Sequence, residues 1–110
     1  MTFPKRGDVY WVNLDPSISS EINKTRPALI VSNNAGNEMS QRVIIAPITS
    51  SKGMIYPFEV KVEINTKQGK ILLDQVRSID KERVNKKITT LELDTMLLVD
   101  KALKTALAIP

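Results

Sequence analysis

The chain contains no cysteine and no histidine. Without cysteine, a disulfide framework and a thiolate metal site are both excluded. Without histidine, the commonest general base at neutral pH is gone. Histidine-built zinc sites and triads that depend on an imidazole go with it. Catalysis by this chain must therefore draw on Arg, Lys, Asp, Glu, Ser, Thr or Tyr. Aromatic residues are scarce as well: one Trp, two Tyr and two Phe. No apolar run approaches the roughly 18 residues that a membrane-spanning helix needs. The opening residues, Met1-Thr2-Phe3-Pro4-Lys5-Arg6, have no apolar stretch behind their charges and do not read as a signal peptide. The expectation is a cytoplasmic protein with no membrane partner. Internal repeats and low-complexity linkers are absent too.

What is present fits one domain spanning residues 1–110. A domain of this length buries about two thirds of its unfolded surface, enough for one modest core. Hydrophobic residues make up 42% and charged residues 25%, an ordinary globular balance. The net charge of +4 and a pI near 9.5 suit a polyanionic partner, though many plain domains carry as much.

Most of the chain reads as short strands. Asp8 to Leu14 is the first, opened by Gly7 and closed by the turn signal Asp15-Pro16. Ser17 to Thr25 is a polar loop. Ala28 to Ser32 and Val43 to Ile48 are apolar, β-branched runs and read as buried strands. Asn33 to Gln41 between them has room for one helical turn. Phe58 to Ile64 alternates apolar and polar, the pattern of a half-buried antiparallel strand. Asn65 to Gly69 reads as a turn, Lys70 to Ile79 as a long strand able to bend, and Lys81 to Lys86 as a helical turn. Met96, Val99, Leu103 and Leu107 recur at three- and four-residue spacings, which predicts an amphipathic terminal helix. Thr89-Thr90-Leu91-Glu92 matches a capping box before it. Several short strands with one terminal helix suggest a mainly β protein, a small barrel with helices packed at its side or end.

Four ordered blocks are more specific. They are Gly7-Asp8-Val9-Tyr10-Trp11-Val12-Asn13-Leu14-Asp15-Pro16; Ser20-Glu21 followed by Thr25-Arg26-Pro27-Ala28-Leu29-Ile30-Val31; Ala46-Pro47-Ile48-Thr49-Ser50; and Leu73-Asp74-Gln75-Val76-Arg77-Ser78-Ile79-Asp80. Together they resemble the MazF/PemK family of toxins, in order and spacing, over almost the whole chain. The resemblance implies an SH3-like β-barrel with a C-terminal helix and a two-fold homodimer. It also implies a sequence-specific endoribonuclease that cuts single-stranded RNA (mRNA) and is held in check by an antitoxin. No cofactor and no metal are implied.

The chemistry can be weighed separately. RNA cleaves itself when a 2′-OH attacks the neighbouring phosphate, so an enzyme needs to assist proton transfer and stabilise a phosphorane-like transition state. Arginine suits the second task, because its planar fork donates bidentately to phosphate oxygens. The resemblance makes Arg26 and Thr49 the catalytic pair; by themselves, they would equally serve as a surface ion-pair partner and a turn threonine. Glu21 and Asp74 are the candidate carboxylates for proton transfer or support. Some relatives pair the matching aspartate with an arginine two positions earlier, where this chain has Leu72. Period-two geometry puts Leu73, Gln75 and Arg77 on one face of a strand and Asp74 on the other. Ser20, Ser50, Gln75 and Arg77 are candidate RNA contacts. Trp11 reads more readily as core than as a base-stacking platform, Tyr10 is open, and Asn33 and Asn34 suit turn formation better than base reading.

Three other readings compete. One is a non-catalytic nucleic-acid-binding barrel, against which the Arg26 and Thr49 pair speaks. The second is a gyrase-poisoning toxin of the CcdB type, whose members resemble one another in a C-terminal Trp-Gly-Ile; here the last residues are Leu107-Ala108-Ile109-Pro110. The third is a metal-dependent nuclease, which would want a carboxylate cluster around a cation. No acidic pair with suitable spacing stands out. An acidic antitoxin that folds on binding is the expected protein partner of so basic a chain.

Overall fold

A computed structural model describes residues 2–14, 25–50 and 53–110. Its seven strands are β1 (Asp8–Asn13), β2 (Thr25–Ile30), β3 (Arg42–Thr49), β4 (Glu59–Ile64), β5 (Lys67–Leu72), β6 (Arg77–Asp80) and β7 (Val84–Thr90). The helices are α1 (Asn34–Met39) and α2 (Leu93–Ala106). The strands form one antiparallel sheet in the order β4-β5-β3-β2-β1-β7, with β6 also pairing β3. The sheet curls into a half-barrel, and the mainly β, SH3-like architecture with a terminal helix is as expected.

The two faces of the sheet carry two cores, not the single one expected from the length, because strand alternation buries apolar side chains on both sides. The larger gathers Val9, Leu29, Ala46, Ile48, Val62, Ile64, Ile71 and Leu73 under Met96, Val99 and Ala102 of α2. The smaller, on the other face, packs Val12, Ala28, Ile30, Val43, Ile45 and Ile79, with Tyr10 and Val84 against them. Strand alternation explains the split, since residues two apart share a face. Arg6 ties the chain start to α2: its guanidinium donates to the Val31 carbonyl at 2.8 Å and to Asp100 at 2.7 Å. Gly7 has φ +99°, a conformation an L side chain resists, and so turns the chain into β1. Asp8, 4% exposed, then accepts from the Lys5 N–H at 3.1 Å and the Thr90 hydroxyl at 2.8 Å, with Lys87 at 3.4 Å. A buried carboxylate satisfied in this way pins β7 to the start of β1.

Four more expectations are corrected. Lys81 to Lys86 is not one helical turn: only Lys81–Arg83 turns, and Val84–Thr90 is a strand. Thr89 and Thr90 therefore belong to β7 and cap nothing; Glu92 stands at the N-cap of α2 without a side-chain bond. The long strand over Lys70 to Ile79 is broken by a 3-10 turn at Leu73–Gln75. This break turns Leu73 fully into the larger core, and β5 and β6 share β3 end to end. Finally, Asn65 and Thr66 alone form the turn between β4 and β5. Both have positive φ, 49° and 67°, the geometry of a two-residue hairpin loop. The helical turn expected between Asn33 and Gln41 is α1. Asn33 caps it by accepting from the Gly36 N–H at 2.7 Å, as its expected turn role implies, whereas Asn34 accepts from the Arg6 N–H at 2.7 Å and ties the helix to the chain start instead.

Candidate active site at the ends of β2 and β3

Strand β2 begins three residues earlier than the apolar run suggested, and so takes Arg26 and Pro27 into the sheet. Its ladder with β3 runs Ile30↔Ile45, Leu29↔Ala46, Ala28↔Pro47. Neither Pro27 nor Pro47 has an N–H to give, which suits the ladder ending there. Continuing the same register by two residues sets Arg26 opposite Thr49. Residues opposite each other in an antiparallel pair project from the same face. Arg26 and Thr49, far apart in sequence, are thus brought to one place on one face.

The row continues across the sheet. Thr49 pairs with Lys70 in β5, and Lys70 with Lys61 in β4. Further back along β3 on the same face, Ile45 pairs with Arg77 of β6. Arg26, Arg77 and Lys61 are exposed and Thr49 is half-buried, so this face offers cations and a hydroxyl to solvent. Asp74 and Gln75, both exposed, lie in the 3-10 turn joining β5 to β6. The turn removes the alternation expected there: Leu73 goes inward while Gln75 and Arg77 stay out. Ser20 and Glu21 lie outside the described residues.

The opposite face at these strand ends holds a cavity of about 280 Å³. Its lining includes the apolar Trp11, Pro27, Ile48, Ile64 and Ile88 and the polar Thr25, Arg26, Thr49, Ser50, Lys67 and Gln68. Trp11 is 40% exposed, so it is not core as its sequence context suggested. Tyr10 takes the other face and packs on the smaller core. Burial first, then the charge and hydrogen bond of Asp8, push its phenol pKa up. Lys67 and Lys70 carry no signal of a site in the sequence. Nothing in their local pattern marks them, because their positions follow from the hairpin register.

Lys70 is held in place beside Thr49. It donates to Glu59 at 3.0 Å and to the Met54 carbonyl at 3.3 Å, and lies 5.8 Å from the Tyr56 ring centre. The Tyr56 N–H also donates to Glu59 at 3.0 Å. Loss of solvent acts upward on the Glu59 carboxyl, but the Tyr56 N–H and the hydrogen bond and charge of Lys70 outweigh it, so its pKa is lowered. The side chains are only 13% and 7% exposed. Removing one partner strands the other, at a cost of about 3 kcal/mol. Lys70→Met is expected to lower the melting temperature by about 10 °C, read by circular dichroism. The contribution of a carboxyl with lowered pKa is present above its unfolded pKa of about 4.3 and fades as pH falls through the lower folded value. The gap between wild type and Lys70→Met is therefore expected at neutral pH and should shrink in acid.

Gly69 sets how closely β5 approaches Thr49. A Cβ on it would stand 2.7 Å from the Thr49 carbonyl oxygen, a backbone atom that cannot swing aside. Gly69→Ala is expected to push the hairpin away from β3 and to lower the melting temperature by about 5 °C or more, read by circular dichroism. An unchanged melting temperature would mean that the sheet accommodates the added methyl group.

With this geometry in place, comparison with known proteins is informative. The sequence profile of the PemK-like, MazF-like toxins of type II toxin-antitoxin systems matches residues 5–107. The chain belongs to this family. Endoribonuclease EndoA of Bacillus subtilis (strain 168) is 39% identical over 110 residues, covering 96% of this chain and 95% of EndoA. A solved endoribonuclease in complex with its cognate antitoxin, from a mycobacterial species, superposes with a TM-score of 0.82 at 29% identity over 97% of both chains. A MazE-MazF structure from Deinococcus radiodurans gives a TM-score of 0.81 at 30% identity over the whole of both chains. This MazF-like protein is an endoribonuclease toxin of a toxin-antitoxin system, and its Arg26 and Thr49 stand where two strands of the shared fold end together.

Proposed function

We propose that the Arg26–Thr49 strand ends are the active centre, and that this MazF-like enzyme cuts single-stranded RNA there without a metal ion. The observation that carries the reading is the shared register of β2 and β3, which sets the two side chains opposite each other on a cation-rich face. In the reaction, the 2′-oxygen of one nucleotide forms a bond to the adjacent phosphorus while the bond to the 5′-oxygen of the next breaks. The products are a 2′,3′-cyclic phosphate and a 5′-hydroxyl. Arg26 donates two N–H groups to the phosphate oxygens as negative charge builds, and the Thr49 hydroxyl adds a third donor. A guanidinium gives up its proton too reluctantly to act as the acid, so Arg26 stabilises charge and leaves proton transfer to others. Glu21 and Asp74 are the carboxylates available for that task, and Ser20, Ser50, Gln75 and Arg77 are RNA contacts.

The donor set favours chemistry without a cation. The chain has neither His nor Cys, and among the described residues no three Asp or Glu side chains gather. Cleavage is expected to run at full rate in excess EDTA. Loss of activity with chelator and its return with magnesium would refute the reading.

Partners follow from surface chemistry and from the solved relatives. The outer side of α2 and the residues after it leave Leu93, Leu97, Leu98, Leu107 and Ile109 at least half exposed, apolar area suited to a two-fold homodimer. Sedimentation at micromolar concentration tests this, a monomer being the adverse result. Two of the compared structures hold a toxin with its antitoxin. An acidic antitoxin segment that orders on this basic chain and excludes RNA is the matching partner here. Competition between that segment and RNA, weakening at high salt, is the test.

A further inference from the structure

We propose that the cavity behind Arg26 and Thr49 is a base-binding subsite, in which one unpaired base of the RNA stacks on Trp11. The inference rests on the RNA-cutting reading and adds to it where the strand is gripped away from the reacting phosphate.

Three observations converge on this cavity. Its volume of about 280 Å³ is on the scale of one nucleoside. Its lining is mixed, with Pro27, Ile48, Ile64 and Ile88 as apolar neighbours of the indole and Thr25, Asn65 and Gln68 among the polar ones, which suits a base with its flat apolar face and polar edge. And Trp11, the chain's single tryptophan, stays 40% exposed within β1 while its neighbour Val12 is fully buried. An indole left partly open in a strand that otherwise packs both ways gives up apolar burial, and a ligand that covers it recovers that burial.

The position of the cavity identifies the ligand. Trp11 pairs with Pro27, the residue next to Arg26, and the rim includes Arg26, Thr49 and Lys67. A strand whose phosphate lies at Arg26 and Thr49 can place an adjoining base over the rim and against Trp11. Lys67, next to the turn of the hairpin formed by β4 and β5, is then placed to meet the next phosphate. Stacking of this kind tolerates any base, because every base has a π-face.

The single tryptophan makes the test direct. The probe is a random-sequence RNA decamer with every 2′-OH methylated, which has no nucleophile and cannot be cut. Titration is expected to quench tryptophan emission saturably, in step with binding followed by anisotropy of an end label. Trp11→Leu is expected to weaken decamer binding about tenfold, and Trp11→Phe to restore most of it. With single abasic residues walked along the decamer, wild type should lose about tenfold at one position where Trp11→Leu loses nothing further. Binding of the decamer with unchanged emission overturns the proposal, as does a full abasic penalty retained in Trp11→Leu. So does an emission change with polyglutamate peptide but none with the decamer, which assigns the cavity to a protein ligand. Each of these failures leaves cleavage of unmodified RNA intact; failure of the underlying reading would instead appear as no cleavage at all.

Discussion

Replacing Arg26 with alanine is expected to slow RNA cleavage about a hundredfold while leaving the fold intact. The size follows from one preorganised transition-state contact worth about 3 kcal/mol. The fold should survive because Arg26 is exposed and lies two residues past the last pair of the β2–β3 ladder. Truncation therefore removes donors without opening a hole. Arg26→Lys is the sharper variant. It keeps the charge but replaces a planar fork with a point charge, and is expected to stay badly impaired. Thr49→Val keeps the volume and removes only a neutral donor, so it should cost less than either. Single-turnover rates on a short RNA, with circular dichroism as the control for folding, decide the matter. Near-normal rates in both Arg26 variants would move the charge-stabilising role to Arg77 or Lys61.

A substrate carrying one 2′-deoxyribose immediately 5′ of the cut is expected to survive intact at that position. The proposed step has no other nucleophile: the attacking oxygen belongs to the substrate, and Arg26 and Thr49 stabilise charge without bonding to phosphorus. Removing that oxygen should abolish the reaction rather than slow it, and the strand should still bind, since neither the phosphate nor the bases change. The uncut oligonucleotide should act as a competitive inhibitor of the all-RNA substrate. Cleavage at the deoxy position, or a 5′-phosphate on the downstream product, would mean that water is the nucleophile.

Local pattern carried much of the fold. The faultless alternation from Phe58 to Ile64 produced β4, with Val60, Val62 and Ile64 inside and Lys61 and Glu63 outside. The three- and four-residue spacing of Met96, Val99 and Leu103 produced α2. Strand β7 was missed for an equally physical reason. Val84-Asn85-Lys86-Lys87-Ile88-Thr89-Thr90 does not alternate, and Asn85, Lys86 and Lys87 in a row are exposed. It is an edge strand, made by pairing with β1 through two register irregularities, so nothing in its own composition specifies it. The break in the expected strand over Lys70 to Ile79 was equally invisible. It exists because β5 and β6 both need the same edge of β3 and Leu73 needs the core under α2.

By itself, then, the sequence determined the alphabet of the chemistry and the main elements. The lack of His and Cys restricted catalysis to charge and hydroxyl groups, and the ordered motifs pointed to Arg26 and Thr49 and to the toxin family that the chain belongs to. Only the tertiary structure decided which residues meet. Arg26, Thr49, Lys70 and Lys61 are separated in sequence by loops and turns, and become a row because antiparallel register is a long-range property, fixed by which apolar faces must be buried together. The same burial turned Tyr10 inward to the smaller core and left Trp11 open over the cavity on the other face. Two adjacent aromatics on a strand cannot share a face, and which of them is buried depends on what the sheet finds on either side.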